Sequence, residues 1–143
     1  MANSTTPAHP YYPVEAKLIG YLANEWSVPV LIGAFGVAWG AILLAALGLV
    51  TLVRPTLPKA EKLAVLWFVL SGSIHLFFEG YFVVNHTRMA PAQDLFGQLW
   101  KEYSLSDSRY LTSDPFVLCM ETITAVCLHA LKALRAHRVS FID

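Results

Sequence analysis

From Ser27 to Val53 the chain carries no charged residue. As a helix this stretch is about 40 Å long, against roughly 30 Å for the hydrocarbon core of a bilayer, so it spans with tilt. Pro29 falls near its start, where proline is tolerated, and Arg54 and Pro55 close it. Composition points the same way: 56% of residues are hydrophobic and 14% charged, where soluble domains carry about 25% charged residues. In lipid the backbone must satisfy its own hydrogen bonds, which directs the segment to helix.

Two further apolar stretches follow. Leu63 to Asn85 is about 34 Å long as a helix, and Pro115 to Leu131 about 25 Å. The expected fold is therefore all-α, a polytopic membrane helical bundle with three spans. Between the second and third spans the chain is polar, with Gln98, Lys101, Glu102, Asp107, Ser108 and Arg109 among Trp100, Tyr103 and Tyr110. Aromatics beside charges suit a membrane–water interface. An interfacial helix is expected from about Ala92 to Tyr103, then a loop. The organisation is an N-terminal segment over 1–26, a membrane domain over 27–131 and a basic tail over 132–143.

Arg54, Lys59 and Lys62 in the first loop share a side with Lys132, Arg135 and Arg138 in the tail. They outnumber Lys17, Arg88, Lys101 and Arg109 on the other side, which favours a cytoplasmic tail. The net charge is zero, so no global field argues for nucleic acid. Pro7, Pro10 and Pro13 stand where a cleavable leader needs an apolar core. Asn3 and Asn85 match the glycosylation pattern, Asn85 too close to a membrane face to be a good acceptor. Cys119 and Cys127 lie too far apart along one helix for a disulfide and read as small core residues. Gly36 and Gly40 form a GxxxG spacing that permits close helix approach. With no ionisable residue, the first span reads as scaffold.

The chemistry lies in the other two spans. His75 and Glu79 are four residues apart and share a helix face, with Ser71 one turn earlier. Such groups in hydrocarbon are costly and mark function. Glu121 is a second intramembrane carboxylate, and Thr124 shares nearly its face. If the two spans pack, His75, Glu79, Glu121 and Thr124 line one pocket. Two carboxylates in a dry pocket do not both ionise easily, which leaves a proton donor beside a site that favours a cation. That equipment moves a proton within an apolar substrate. A histidine with two carboxylates is also a metal-ligand set, although membrane di-iron sites need more histidines than these spans hold.

Four blocks resemble one family. His9-Pro-Tyr-Tyr-Pro13 is similar to its N-terminal motif. Gly72-Ser-Ile-His75-Leu-Phe-Phe-Glu79-Gly-Tyr-Phe-Val83 resembles its second membrane helix. Gln98-Leu-Trp-Lys-Glu-Tyr103 with Asp107-Ser-Arg-Tyr110 resembles its connecting segment. Cys119-Met-Glu-Thr-Ile-Thr-Ala125 is similar to the start of its third helix. The order and spacing are those of the sterol Δ8–Δ7 isomerase (emopamil-binding protein) family, with its EXPERA domain. The resemblance implies a five-helix, multi-pass protein of the endoplasmic reticulum membrane that shifts a sterol ring double bond by protonation and deprotonation. It implies no cofactor and no metal, a sterol substrate, affinity for cationic amphiphilic amines, and homo-oligomers in the bilayer. By family position His75, Glu79 and Glu121 are catalytic and Thr124 binds substrate, and Ser71, on the same stripe as His75, is expected to bind substrate with it.

After Ala125 the match fades. The family continues with two more spans that bring an asparagine and a tryptophan to the site, whereas this sequence passes into its basic tail. The resemblance is thus to a C-terminally truncated member. Two other roles stay open on the sequence alone: a non-catalytic sterol- or amine-binding membrane protein, and an inactive short form that pairs with a complete copy.

Overall fold

A computed structural model describes residues 9–128, the side chains of Cys127 and Leu128 excepted. His129, the basic tail with Lys132, Arg135 and Arg138, and Asn3 lie outside the described residues. Those described form helices and turns, with no strand among them.

Helix α1 runs Val28–Val53. Ser27 precedes it in an extended conformation and Pro29 sits in its first turn, where the missing N–H costs no helix bond. Arg54 to Leu57 turn the chain back, Leu57 N–H donating to the Arg54 carbonyl at 3.2 Å. Helix α2 then runs Lys59–Arg88. Its pitch changes on the way: α-helical over Lys59–Ser73, π-helical over Ile74–Glu79, α-helical over Gly80–Asn85, and a 3-10 turn at His86–Arg88.

These two helices are long and apolar enough to cross a membrane. Their apolar side chains are largely uncovered, as at Ile32, Val37, Leu44, Leu52, Leu63 and Trp67. Only Leu31 and Trp39 of α1 are buried. Trp39 stacks on Phe35 at 4.1 Å and donates its indole N–H to Ser73 Oγ at 3.1 Å. Helix α1 is therefore bonded to the residue just before the π turn of α2. Among the described residues nothing packs on the GxxxG face: a Cβ at Gly36 or Gly40 would meet nothing within 4 Å.

Helix α3, Leu95–Tyr103, begins at Asp94, whose Oδ1 accepts from the N–H groups of Phe96 and Gly97 at 3.1 Å each. The expectation of a helix near Ala92–Tyr103 holds, but α3 lies largely under the N-terminal segment. Gln98, Trp100 and Lys101 are buried. Gln98 Oε1 accepts from the backbone of Glu25 and Trp26, and Lys101 donates to the Leu22 carbonyl at 2.8 Å and to Gln93 Oε1 at 3.2 Å. Tyr11 donates its hydroxyl to the Lys101 carbonyl at 3.1 Å. Gly97 is required here, because a Cβ would clash with Ala92 and crowd the Tyr81 hydroxyl.

Helix α4 covers Pro115–Ile123 and continues as a π turn over Thr124–Leu128. Asp114 Oδ1 caps it, accepting from Phe116 N–H at 3.0 Å and Val117 N–H at 3.1 Å. The apolar run Pro115–Val126 is shorter than the first two spans. Cys119 corrects the sequence expectation: it is exposed, not core, because α4 buries Val117 and Glu121 and turns Phe116, Met120 and Ile123 outward. The main buried cluster joins Tyr11, Leu18, Phe82, Met89, Trp100, Tyr110 and Val117. It ties the end of α2 to α3, the start of α4 and the N-terminal segment.

Candidate active site

His75 and Glu79 lie in the π turn of α2, and Glu121 lies in the α-helical part of α4, just before its closing π turn. Single π turns inside α-helices occur often at functional positions, and here the turn in α2 packs against the one that ends α4. His75 Nδ1 approaches Glu79 Oε2 to 2.6 Å, with both side chains mostly covered. The contact is an ion-pair approach without hydrogen-bond alignment, so neither buried atom has a hydrogen-bond partner.

Glu121 is buried at 6% exposure, with both carboxyl oxygens engaged. Tyr110 donates its hydroxyl to Oε1 at 2.7 Å, and Thr124 Oγ1 lies 3.3 Å from Oε2 and 3.0 Å from the Glu121 carbonyl. The π turn that ends at Glu79 packs against the turn that begins at Thr124, three residues after Glu121. The structure thus brings His75, Glu79, Glu121 and Thr124 together, as the spacing predicts. Ser71 is partly buried one turn before His75, and its backbone carbonyl accepts from Ile74 N–H.

Tyr110 is the residue that sequence reasoning missed. It was placed among interfacial aromatics, yet it is buried at 6% exposure. Asp107 delivers it. The Asp107 carboxylate accepts from Arg109 N–H at 3.1 Å and is gripped by the Arg109 guanidinium at 2.6–3.1 Å. That grip holds Asp107 below its usual carboxylate range and fixes the short turn Ser108–Tyr110. Tyr110 then stacks on Trp100 at 4.9 Å and meets Phe82 edge-on at 5.2 Å. Burial first, and the Glu121 carboxylate second, raise its phenol above the ordinary tyrosine value. Tyr110 is therefore a protonated donor throughout the neutral range. The Asp-Ser-Arg-Tyr run was the available signal, since it belongs to a block that resembles the family.

Two apolar hollows adjoin these helices. One, of about 420 Å³, lies between the start of α1 and α3 and is bordered by Leu31, Phe35, Phe78 and Tyr103. The other, of about 510 Å³, lies between α2 and α4 beside Leu76, Gly80, Val83 and Ala125. The acid cluster lines neither, but Phe78 and Gly80 flank Glu79. Among the described residues no three histidine, cysteine or carboxylate side chains form a group able to hold a metal ion.

No family model matches the chain. It is similar to 3-beta-hydroxysteroid-Delta(8),Delta(7)-isomerases from three mammals. The Mus musculus protein is 40% identical over 129 residues, covering 90% of this chain and 56% of the relative. The Rattus norvegicus protein is 37% identical over 131 residues, covering 90% and 56%. The Cavia porcellus protein is 35% identical over 126 residues, covering 87% and 55%. The chain spans about half the length of the curated relatives it matches.

Proposed function

The chain belongs, over its aligned length, to the sterol Δ8–Δ7 isomerase family, and we propose that it is a cholestenol Δ-isomerase. The observation that carries this reading is Glu121, held at both oxygens by Tyr110 and Thr124 and facing the His75–Glu79 pair.

The reaction adds a proton at carbon 9 of the sterol, leaving a cation at carbon 8. Loss of a proton from carbon 7 closes the Δ7 double bond. One proton enters and one leaves, so electrons balance without a redox partner. His75 with Glu121 delivers and removes the proton. Glu79 faces the developing cation, which it stabilises most strongly in a water-poor site. Thr124 and Tyr110 hold the Glu121 carboxyl in one orientation, and Ser71 borders the bound sterol. Cationic amphiphilic amines occupy the same place by mimicking the cation.

The architecture proposed is multi-pass in the endoplasmic reticulum membrane. The two long helices cross the bilayer and α4 begins a third span in a domain over 27–131, with homo-oligomers as the assembled form. The exposed apolar faces of α1 and α2 support lipid contact.

The test is conversion of a Δ8 sterol by the reconstituted chain in deuterium oxide. A Δ7 product with one deuterium at carbon 9 is expected. Product that carries no solvent deuterium excludes the proton route.

A further inference from the structure

We propose that the chain has a second binding site, a phosphate pocket at the far end of α2, separate from the acid cluster. A hollow of about 360 Å³ opens there among Lys17, His86, Thr87, Thr112 and Ser113, within the size range of ligand sites. Three residues with donor groups line it from two segments of the chain: Lys17, His86 and Thr87. Lys17 is exposed and has no bonded partner among the described residues. Thr87 is likewise exposed. His86 also lines it, and its buried Nδ1 has no hydrogen-bond partner, a costly state that a bound acceptor relieves in the tautomer that protonates this nitrogen.

The frame around these donors is built. Ser113 donates to the His86 carbonyl at 3.1 Å and Thr112 to the Ser108 carbonyl at 3.3 Å, which fixes the loop across the mouth. Buried Leu18 and Leu111 form the apolar wall. Two carboxylates stand near. Asp114 commits Oδ1 to capping α4, and Glu15 is exposed to solvent. A compact ammonium with neutral donors suits a phosphate oxyanion, for which lysine acts as a point charge. The pocket also sits where the second long helix ends, and Ile19 at its rim is 88% exposed. That is the level of phospholipid headgroups and a place for an acyl chain to rest.

The test uses the full chain in maltoside micelles with isotope-labelled histidine rings. His86 signals are followed by NMR during titration with inorganic phosphate and, separately, with a short-chain phosphatidate. Saturable shifts below about 10 mM are expected, weakened about tenfold or more by Lys17→Glu, a surface change that leaves the fold intact. Response to phosphatidate alone assigns the pocket to a lipid headgroup, and equal response to both assigns it to free phosphate. No saturable shift with either probe, or equal affinity in Lys17→Glu and Thr87→Val, overturns the site.

Discussion

At the residue scale the account rests on how Glu121 is held. Replacing it with glutamine removes the acid while keeping its size, and turnover should fall by about 10²–10⁴-fold. Tyr110→Phe and Thr124→Val each remove one partner of a buried carboxyl, and each should lower turnover by about tenfold. Helix content should stay unchanged by circular dichroism. Full activity in Glu121→Gln removes the proton shuttle. That His75, Glu79 and Glu121 come together was legible because ionisable groups inside an apolar helix are conspicuous, and Thr124 followed from its spacing to Glu121. Tyr110 was not, because its burial depends on the Asp107–Arg109 fork and on Phe82 and Trp100, which no local pattern reveals.

Lys101 gives a pH signature. Burial lowers its pKa from the ordinary 10.5, so between the folded value and 10.5 the unfolded chain binds more protons. Stability therefore rises with pH through that window. Wild type measured against Lys101→Met by denaturant unfolding should show this rise as a difference. Tyr11 and Tyr110, whose pKa values are raised, act in the opposite direction above about 10 and cancel in the comparison. A pH-independent difference would mean that Lys101 is not desolvated.

At the element scale the π turn of α2 sets the His75–Glu79 pair. Four-residue spacing put His75 and Glu79 on one face, but periodicity cannot distinguish an α pitch from a single π turn. The sequence therefore located the pair without revealing the distortion. Deleting exposed Leu76 should return Ile74–Glu79 to α pitch. The flanking contacts, Trp39 to Ser73 and Phe82 to Trp100, should persist. His75 and Glu79 would lose their alignment, so a folded, membrane-inserted and inactive protein is expected. Retained activity would make the π turn incidental. The scaffold expectation for α1 needs one addition: Trp39 anchors the helix that bears the site. An uncharged run gave no hint of that bond.

At the scale of the whole molecule, the long uncharged run and the second apolar helix announced the two membrane-length elements. The described all-helical fold agrees with them. The attachment of the N-terminal segment to α3 was less legible, because Tyr11 and Lys101, or Asn24 and Glu102, meet across most of the chain. Such pairs carry no periodicity and emerge only when the fold brings them together. Among the described residues they join the N-terminal and connecting segments to the main buried cluster, with Phe82 of α2 and Val117 of α4.

The central claim is that these helices carry the isomerisation. Its most direct test is the sterol composition of isomerase-null cells that express this chain, with membrane insertion confirmed in the same cells. The account predicts that Δ7 sterol appears and Δ8 sterol declines, and that Glu121→Gln abolishes the change. Persistent Δ8 sterol despite membrane-inserted protein would contradict it.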